Sequence, residues 1–113
     1  MKTYTGGQGY VYQYYFVGKR AALPNSPAAT EYIFDVTSDR KTSFAVSVFL
    51  NEAAVTQWAS THGRALTEAE QYGAVKMRLF EAFDQVENML TDGRRLAIDP
   101  VTLERLLTTL WVQ

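Results

Sequence analysis

The sequence contains no cysteine and a single histidine, His62, and these absences remove several kinds of site. Without cysteine the chain can form no disulfide framework and no zinc ribbon, and it has no thiolate nucleophile. With one imidazole it cannot build a multi-histidine metal centre. We therefore expect neither a metal ion nor a cofactor.

The sequence also lacks an excess of charge of either sign and any long apolar run. Eleven basic side chains against twelve acidic ones leave a formal charge of -1, so no whole-chain field attracts nucleic acid or anionic lipid. No apolar run approaches the length that spans a membrane, and residues 1–9 lack the apolar core of a signal peptide. These features predict a cytoplasmic protein without a membrane partner.

What the chain does have is apolar and aromatic residues in proportions typical of a folded domain. Hydrophobic residues make up 47% of the 113 positions and aromatic residues 13%. A chain of this length, if divided, would leave pieces too small to bury an adequate core. We predict one domain over residues 10–113, preceded by a flexible, glycine-rich arm over residues 1–9.

The first half of the chain has the residue patterns of β-strands. Aromatic and β-branched residues fill positions 10–17, and apolar residues alternate with polar ones over 31–37 and 42–50. The last two of these strands flank a short polar turn and form a predicted hairpin. Residues 18–29, which include Pro24 and Pro27, predict a loop.

The second half has helical patterns with recognisable ends. Asn51 can cap a short helix that stops at Gly63, and a capping box from Thr67 to Glu70 opens a long helix that runs to residues 92–93. A last helix follows Asp99, and residues 94–98 are interpreted as a connection, with a short strand as the alternative. The predicted fold is α+β: a three-stranded antiparallel meander followed by three helices, in the order βββααα, with the helices on one face.

A tripeptide in the arm, Gly6-Gly7-Gln8, resembles the loop with which peptide-chain release factors trigger hydrolysis of peptidyl-tRNA. A motif of three residues carries meaning only in its structural context, and neither a basic environment nor a dedicated domain surrounds it. The sequence does not predict that activity here.

Catalysis by His62 with a carboxylate such as Glu70 is one functional hypothesis, but no nucleophile can be assigned to it from sequence. Three carboxylates, Glu81, Asp84 and Glu87, share part of a helix surface. Because basic residues lie among them and no second acidic segment is present, a solvated helix face is favoured over a metal site. The sequence leans against an enzyme.

The sheet gives the leading hypothesis, because its strands carry more apolar residues than one layer of helices can cover. In one register Tyr12, Tyr14 and Phe16 stand on the outer face beside Ile33 and Phe49. An apolar surface of that kind is typical of a protein-binding site, and a second copy of the chain is the simplest partner. The alternative is that the loop or the arm covers these rings within one chain.

A second hypothesis is a module that binds single-stranded nucleic acid. Exposed tyrosines on the sheet would stack on bases, and the basic pairs Lys19-Arg20 and Arg40-Lys41 would contact phosphates. The near-zero net charge disfavours it. The sequence thus predicts a non-catalytic interaction or regulatory protein, dimeric through the outer sheet face, with nucleic-acid binding and His62 catalysis as alternatives.

Overall fold

A computed structural model describes residues 1–22 and 28–113 as an α+β fold. A β-sheet is covered on one face by helices, as the sequence predicts at this coarse level, but the sheet is mixed rather than antiparallel. None of the helices within the described ranges has the length and hydropathy needed to cross a bilayer. The elements follow in the order β1 (Lys2–Thr5), β2 (Val11–Ala21), β3 (Ala29–Thr37), β4 (Phe44–Asn51), α1 (Glu52–His62), α2 (Glu68–Gln85), α3 (Met89–Asp92), β5 (Arg95–Ile98) and α4 (Pro100–Thr109).

The sheet has five strands, so the predicted three-stranded meander is wrong. Its strand order is β1-β2-β3-β4-β5. Neighbours are antiparallel from β1 to β4, whereas β5 lies parallel to β4. A parallel pair needs a long crossover, and α1, α2 and α3 provide it. The predicted order βββααα therefore holds only for the middle of the chain.

The first additional strand, β1, lies inside the stretch expected to be a flexible arm. Its residues pair with β2, for example Tyr4 with Tyr12. The Tyr4 ring stacks on Phe80 of α2 at a centroid distance of 4.4 Å. The sequence predicts no strand before Tyr10, because the contacts that hold β1 come from residues far along the chain.

The second additional strand, β5, occupies residues that were interpreted as a connection. Leu96 and Ile98 point into the core and are 5% and 1% exposed, while Arg95 and Ala97 between them are exposed. Four residues carry too short an alternation to distinguish a strand from a loop. Pairing with β4 decides the matter.

The helix ends agree with the capping residues in three cases. Asn51 and Asp99 accept hydrogen bonds at the starts of α1 and α4, and the Thr67–Glu70 capping box is formed at the start of α2. The long helix is shorter than predicted and ends at Gln85, because Asn88 caps the separate one-turn helix α3. Asn is a strong N-cap residue, and its side chain competes with helix continuation.

The largest correction concerns strand β2, whose tyrosines face the helices. Tyr12 and Tyr14 are 2% and 4% exposed, and the Tyr12 ring stacks on Phe83 of α2 at 4.1 Å. Phe16, although 39% exposed, also lies on this side, 5.1 Å from the ring of Tyr72. The register that places these three side chains on the outer face is therefore wrong.

The loop predicted over residues 18–29 is only partly described. Strand β2 continues through a bulge after Phe16 and remains paired with β3 as far as Ala21. The bulge shifts the alternation by one residue, so Lys19 turns towards the helices and Arg20 towards the other face. The turn predicted from Pro24, Asn25, Ser26 and Pro27 lies outside the described residues.

Candidate interaction surface on the outer face of the sheet

The face of the sheet that points away from the helices carries apolar side chains that do not belong to the core. We call it the outer face. Tyr15 and Val17 of β2 are 46% and 57% exposed there. Ile33 and Phe49 are partly buried by their neighbours on the sheet but do not join the hydrophobic core cluster. The central outer-face residues are Val11, Tyr15, Val17, Ile33, Ala45, Ser47, Phe49 and Ala97.

A buried carboxylate interrupts this apolar surface. Glu31 of β3 is 9% exposed and accepts hydrogen bonds from the Ser47 hydroxyl at 2.6 Å and from Arg20 Nε at 2.9 Å. The hydrogen bond from Ser47, followed by the one from Arg20, holds the pKa of Glu31 below its usual value. The charge of Glu31 is thus already compensated within one chain.

Two further charged residues, Asp35 and Arg95, lie on strands of the outer face, and Arg94 borders it beside Ala45 and Ser47. The guanidinium of Arg95 lies over the Phe49 ring, 4.7 Å from its centroid. Asp35 is cross-strand from Tyr15. The nearby Asp35 carboxylate raises the pKa of the Tyr15 hydroxyl above its usual value. Among the described residues neither Asp35 nor Arg95 forms a salt bridge.

A shallow hollow opens at one edge of the outer face, where β3 and β4 meet β5. Its volume is about 340 Å³, and Phe49, Arg95 and Ala97 contribute to its lining. The other lining residues are Ala29, Asn51, Leu96, Ile98 and Asp99. A hollow lined largely by apolar atoms and bordered by one cation can accept a protruding aromatic side chain.

The predicted binding residues are distributed over three places in the structure. Ile33 and Phe49 lie on the outer face, whereas Tyr12, Tyr14 and Phe16 lie on the helix side. Arg40 and Lys41 lie in the turn between β3 and β4. Sequence reasoning missed Tyr15 and Val17, although strict alternation with Tyr12 and Tyr14 was the signal that could have found them.

The basic pairs do not converge. Lys19 and Arg20 are paired with the residues at the start of β3, while Arg40 and Lys41 follow its end. The six residues between these points correspond to roughly 20 Å of strand. Lys19 contacts Glu68 at 3.5 Å, and Arg20 is bound to Glu31, so both also have acidic partners.

His62 has a carboxylate partner, but it is Glu104 of α4 rather than Glu70. Its Nε2 lies 3.0 Å from both carboxylate oxygens of Glu104, and its ring stacks on Trp58 at 4.2 Å. Glu70 instead accepts from Arg64 and closes the capping box. A carboxylate orients an imidazole in many general bases. The hydroxyl of Thr108, which lines the same pocket as His62 and Glu104, donates to the Glu104 backbone carbonyl.

The Gly6-Gly7-Gln8 segment packs against the end of α2. The Tyr4 hydroxyl donates to the Asp84 carboxylate at 2.9 Å, and the backbone N–H of Gly7 donates to the same group at 3.0 Å. The Gln8 side chain donates to the Asp84 carbonyl oxygen. These contacts give the tripeptide a structural role.

The carboxylates of α2 that might have gathered a cation also have partners within the protein. Asp84 accepts from Tyr4 and Gly7, and Glu81 forms an ion pair with Arg105. Over residues 1–22 and 28–113 no group of three or more possible ligands is close enough to hold a metal ion.

Comparison with protein-family models, with curated proteins and with solved structures finds no match for this chain.

Proposed function

We propose that this protein is a non-catalytic interaction or regulatory protein that self-associates through the outer face of its sheet. The observation that carries the proposal is the separation of the outer-face apolar side chains from the single core. Tyr15, Val17, Ile33 and Phe49 lie on neighbouring strands of the outer face, and none of them belongs to the core cluster of the described residues. An exposed apolar patch of this kind on a folded domain marks a contact site.

The charge of the outer face supports a second copy as the partner. The Arg20–Glu31 ion pair is neutral, Asp35 and Arg95 contribute one charge of each sign, and Arg94 adds one positive charge beside Ala45 and Ser47. Two copies of a surface with so small a net charge do not repel each other as two strongly charged surfaces would. A self-complementary patch also closes a two-fold dimer without further growth.

The size of the face sets the expected affinity. Strand spacing and rise give a surface of roughly 20 Å by 20 Å, on the order of 400 Å² in projection. Stable complexes usually bury about 800 Å² on each partner. We therefore expect a reversible dimer with a dissociation constant in the micromolar range.

Nucleic acid is the less favoured partner because of where the charges lie. The outer-face ring of Tyr15 has the Asp35 carboxylate close to it, across the β2–β3 pairing. Carboxylates beside a stacking ring repel a phosphate backbone. Retention of a labelled single-stranded oligonucleotide at low salt would favour this alternative over self-association.

Sedimentation velocity over roughly 1 to 500 µM protein tests the proposal, because that range brackets a micromolar dimer. Tyr15→Ser and Val17→Ser remove exposed apolar area without disturbing the core, and each is expected to weaken the dimer about tenfold or more. Val101→Ser is the matched control, since Val101 is 79% exposed but lies on α4. A wild-type protein that stays monomeric throughout, or a control that weakens the dimer as much, would overturn the proposal.

A further inference from the structure

Asp35 and Arg95 are charged residues on the strands of the outer face, and their positions restrict how a second copy can lie on it; Arg94 borders the face, where its Nε donates to the Ala45 carbonyl oxygen. Glu31 and Arg20 bind each other, whereas Asp35 and Arg95 have no salt-bridge partner among the described residues. Burying a charged side chain in an interface costs far more free energy when it has no partner than when it contacts an opposite charge there. A dimer through this face is favoured when Asp35 and Arg95 meet.

The register of the sheet gives the relative positions of these two side chains. Asp35 on β3 is paired with Ala45 on β4, and Ser47, two residues along β4, is paired with Arg95 on β5. The line from Asp35 to Arg95 therefore crosses β4 between Ala45 and Ser47. It spans two strand spacings across the sheet, about 10 Å, and one pair of residues along it, about 7 Å.

We propose that a second copy of the chain stacks on the outer face about a two-fold axis beside Ala45 and Ser47, so that Asp35 of each copy contacts Arg95 of the other. This inference rests on the proposed self-association and specifies its geometry. The axis lies in the plane between the two sheets, perpendicular to the line from Asp35 to Arg95. Rotation by half a turn about it exchanges the two positions, so the ion pair forms twice. Ala45 and Ser47 have small side chains, so the two sheets can approach closely at the axis.

The same rotation brings the apolar residues into matching positions. Tyr15 lies one strand beyond Asp35 in the same row of the sheet, and it is carried to the hollow beside Ala97 and Phe49 of the other copy. Phe49 is carried to the β2 bulge of the other copy, where Gly18 has no side chain and the space above its Cα is open. The two rings thus meet the hollow and the open space above Gly18.

The two-fold axis also brings the Arg20–Glu31 ion pair of one copy beside the same ion pair of the other copy. Arg20 and Glu31 lie in the row of the sheet that contains Phe49. Rotation about the proposed axis brings the pair of one copy next to the same pair of the other. Arg20 can then donate to both Glu31 carboxylates, since its guanidinium has five N–H groups and uses one of them for Glu31 within its own chain.

Charge exchange at the two positions tests this arrangement. In Asp35→Arg both positions are cationic, and in Arg95→Asp both are anionic, so each variant alone is expected to dimerise at least tenfold more weakly than the wild type. An equimolar mixture of the two variants restores both ion pairs, and so does the doubly exchanged chain Asp35→Arg/Arg95→Asp. Sedimentation velocity at one low salt concentration measures all four samples, and circular dichroism checks that each variant is folded.

Lys41→Asp is the control, because it reverses an exposed charge in the turn between β3 and β4, away from both positions. Restored dimers in the mixture and in the double exchange, with an unchanged control, are the expected result. If the single variants dissociate but neither the mixture nor the double exchange recovers, the face binds a second copy in another register and the inference is overturned alone. A wild-type protein that stays monomeric overturns both the inference and the proposed function.

Discussion

Replacing Gly6 by alanine tests the contact between the β1–β2 turn and the end of α2. Gly6 is buried, and a Cβ there would lie too close to the carbonyl oxygen of Phe83 and 3.3 Å from Cε2 of Tyr12. The Phe83 atom belongs to the helix backbone, and the Tyr12 ring is stacked in the core, so neither can rotate away. The turn must instead withdraw from the helix, by on the order of 1 Å.

The cost follows from what this withdrawal disturbs. The hydrogen bonds from Tyr4 and Gly7 to Asp84 are 2.9 to 3.0 Å long, and a further 1 Å takes them beyond about 3.5 Å, where they no longer count as bonds. Overpacking costs about 1–3 kcal/mol, and each of the two hydrogen-bonding groups, Tyr4 and Gly7, costs about 0.5 kcal/mol, the low end of the usual range, because neither hydrogen bond is fully buried. We expect Gly6→Ala to lose about 2–4 kcal/mol of unfolding free energy.

Thermal unfolding by circular dichroism at one low protein concentration measures this loss. For a chain of this length about 4 °C corresponds to 1 kcal/mol, so the midpoint should fall by about 8–16 °C. Gly73→Ala is the matched control on α2, where the new Cβ would lie 3.5 Å from Leu110 Cδ1, an ordinary contact. Alanine in a helix interior should raise the midpoint by about 2–4 °C. A Gly6→Ala midpoint within about 2 °C of the wild type would refute the steric argument.

Two other predictions concern hydrogen bonds that are either missing or strong. The hydroxyl of Tyr32 is buried without a hydrogen-bond partner in the described part of the chain, whereas that of Tyr4 binds Asp84. In urea unfolding we therefore expect Tyr32→Phe to be as stable as the wild type or up to about 1–2 kcal/mol more stable. Tyr4→Phe should be about 1 kcal/mol less stable. The reverse order of stability would contradict both hydrogen-bond assignments. The hydrogen bond from Arg64, together with that from the Thr67 backbone, lowers the pKa of Glu70 from 4.5 to about 2. Because the folded-state pKa is the lower one, the stabilisation is complete above pH 4.5 and is lost as the pH falls through about 2. Glu70→Gln keeps the capping geometry, so its unfolding midpoint should depend less on pH across this window, and parallel curves for the two proteins would disprove the role of the charge.

The strands and helices that the sequence predicts correctly have strong local signals. The period-two alternation of β3 and β4 and the capping residues Asn51, Thr67 and Asp99 act within a few residues of the chain. Strands β1 and β5 have four residues each, too few for a periodic signal. These two strands form because Tyr4 packs against Phe80 and because Leu96 and Ile98 pack into the core. Both sets of contacts join residues that are distant in sequence.

The candidate surface could be predicted only in part, for a related reason. Both faces of β2 carry aromatic residues, so the sequence of this strand does not indicate which face points towards the helices. Tyr12 and Tyr14 face the helices because their rings pack against those of Phe80 and Phe83 on α2. That choice leaves Tyr15 and Val17 outside, and it moves the apolar surface to a different set of residues without removing it.

By itself the sequence determined the α+β class, the alternation of two central strands and the starts of three helices, since these depend on propensities and hydrogen bonds within a few neighbouring residues. Only the tertiary structure decided the five-stranded sheet, the orientation of β2, the pairing of His62 with Glu104 and the residues of the outer face. Each of these depends on which distant side chains meet, and the free energy of that packing is absent from any local window of the chain.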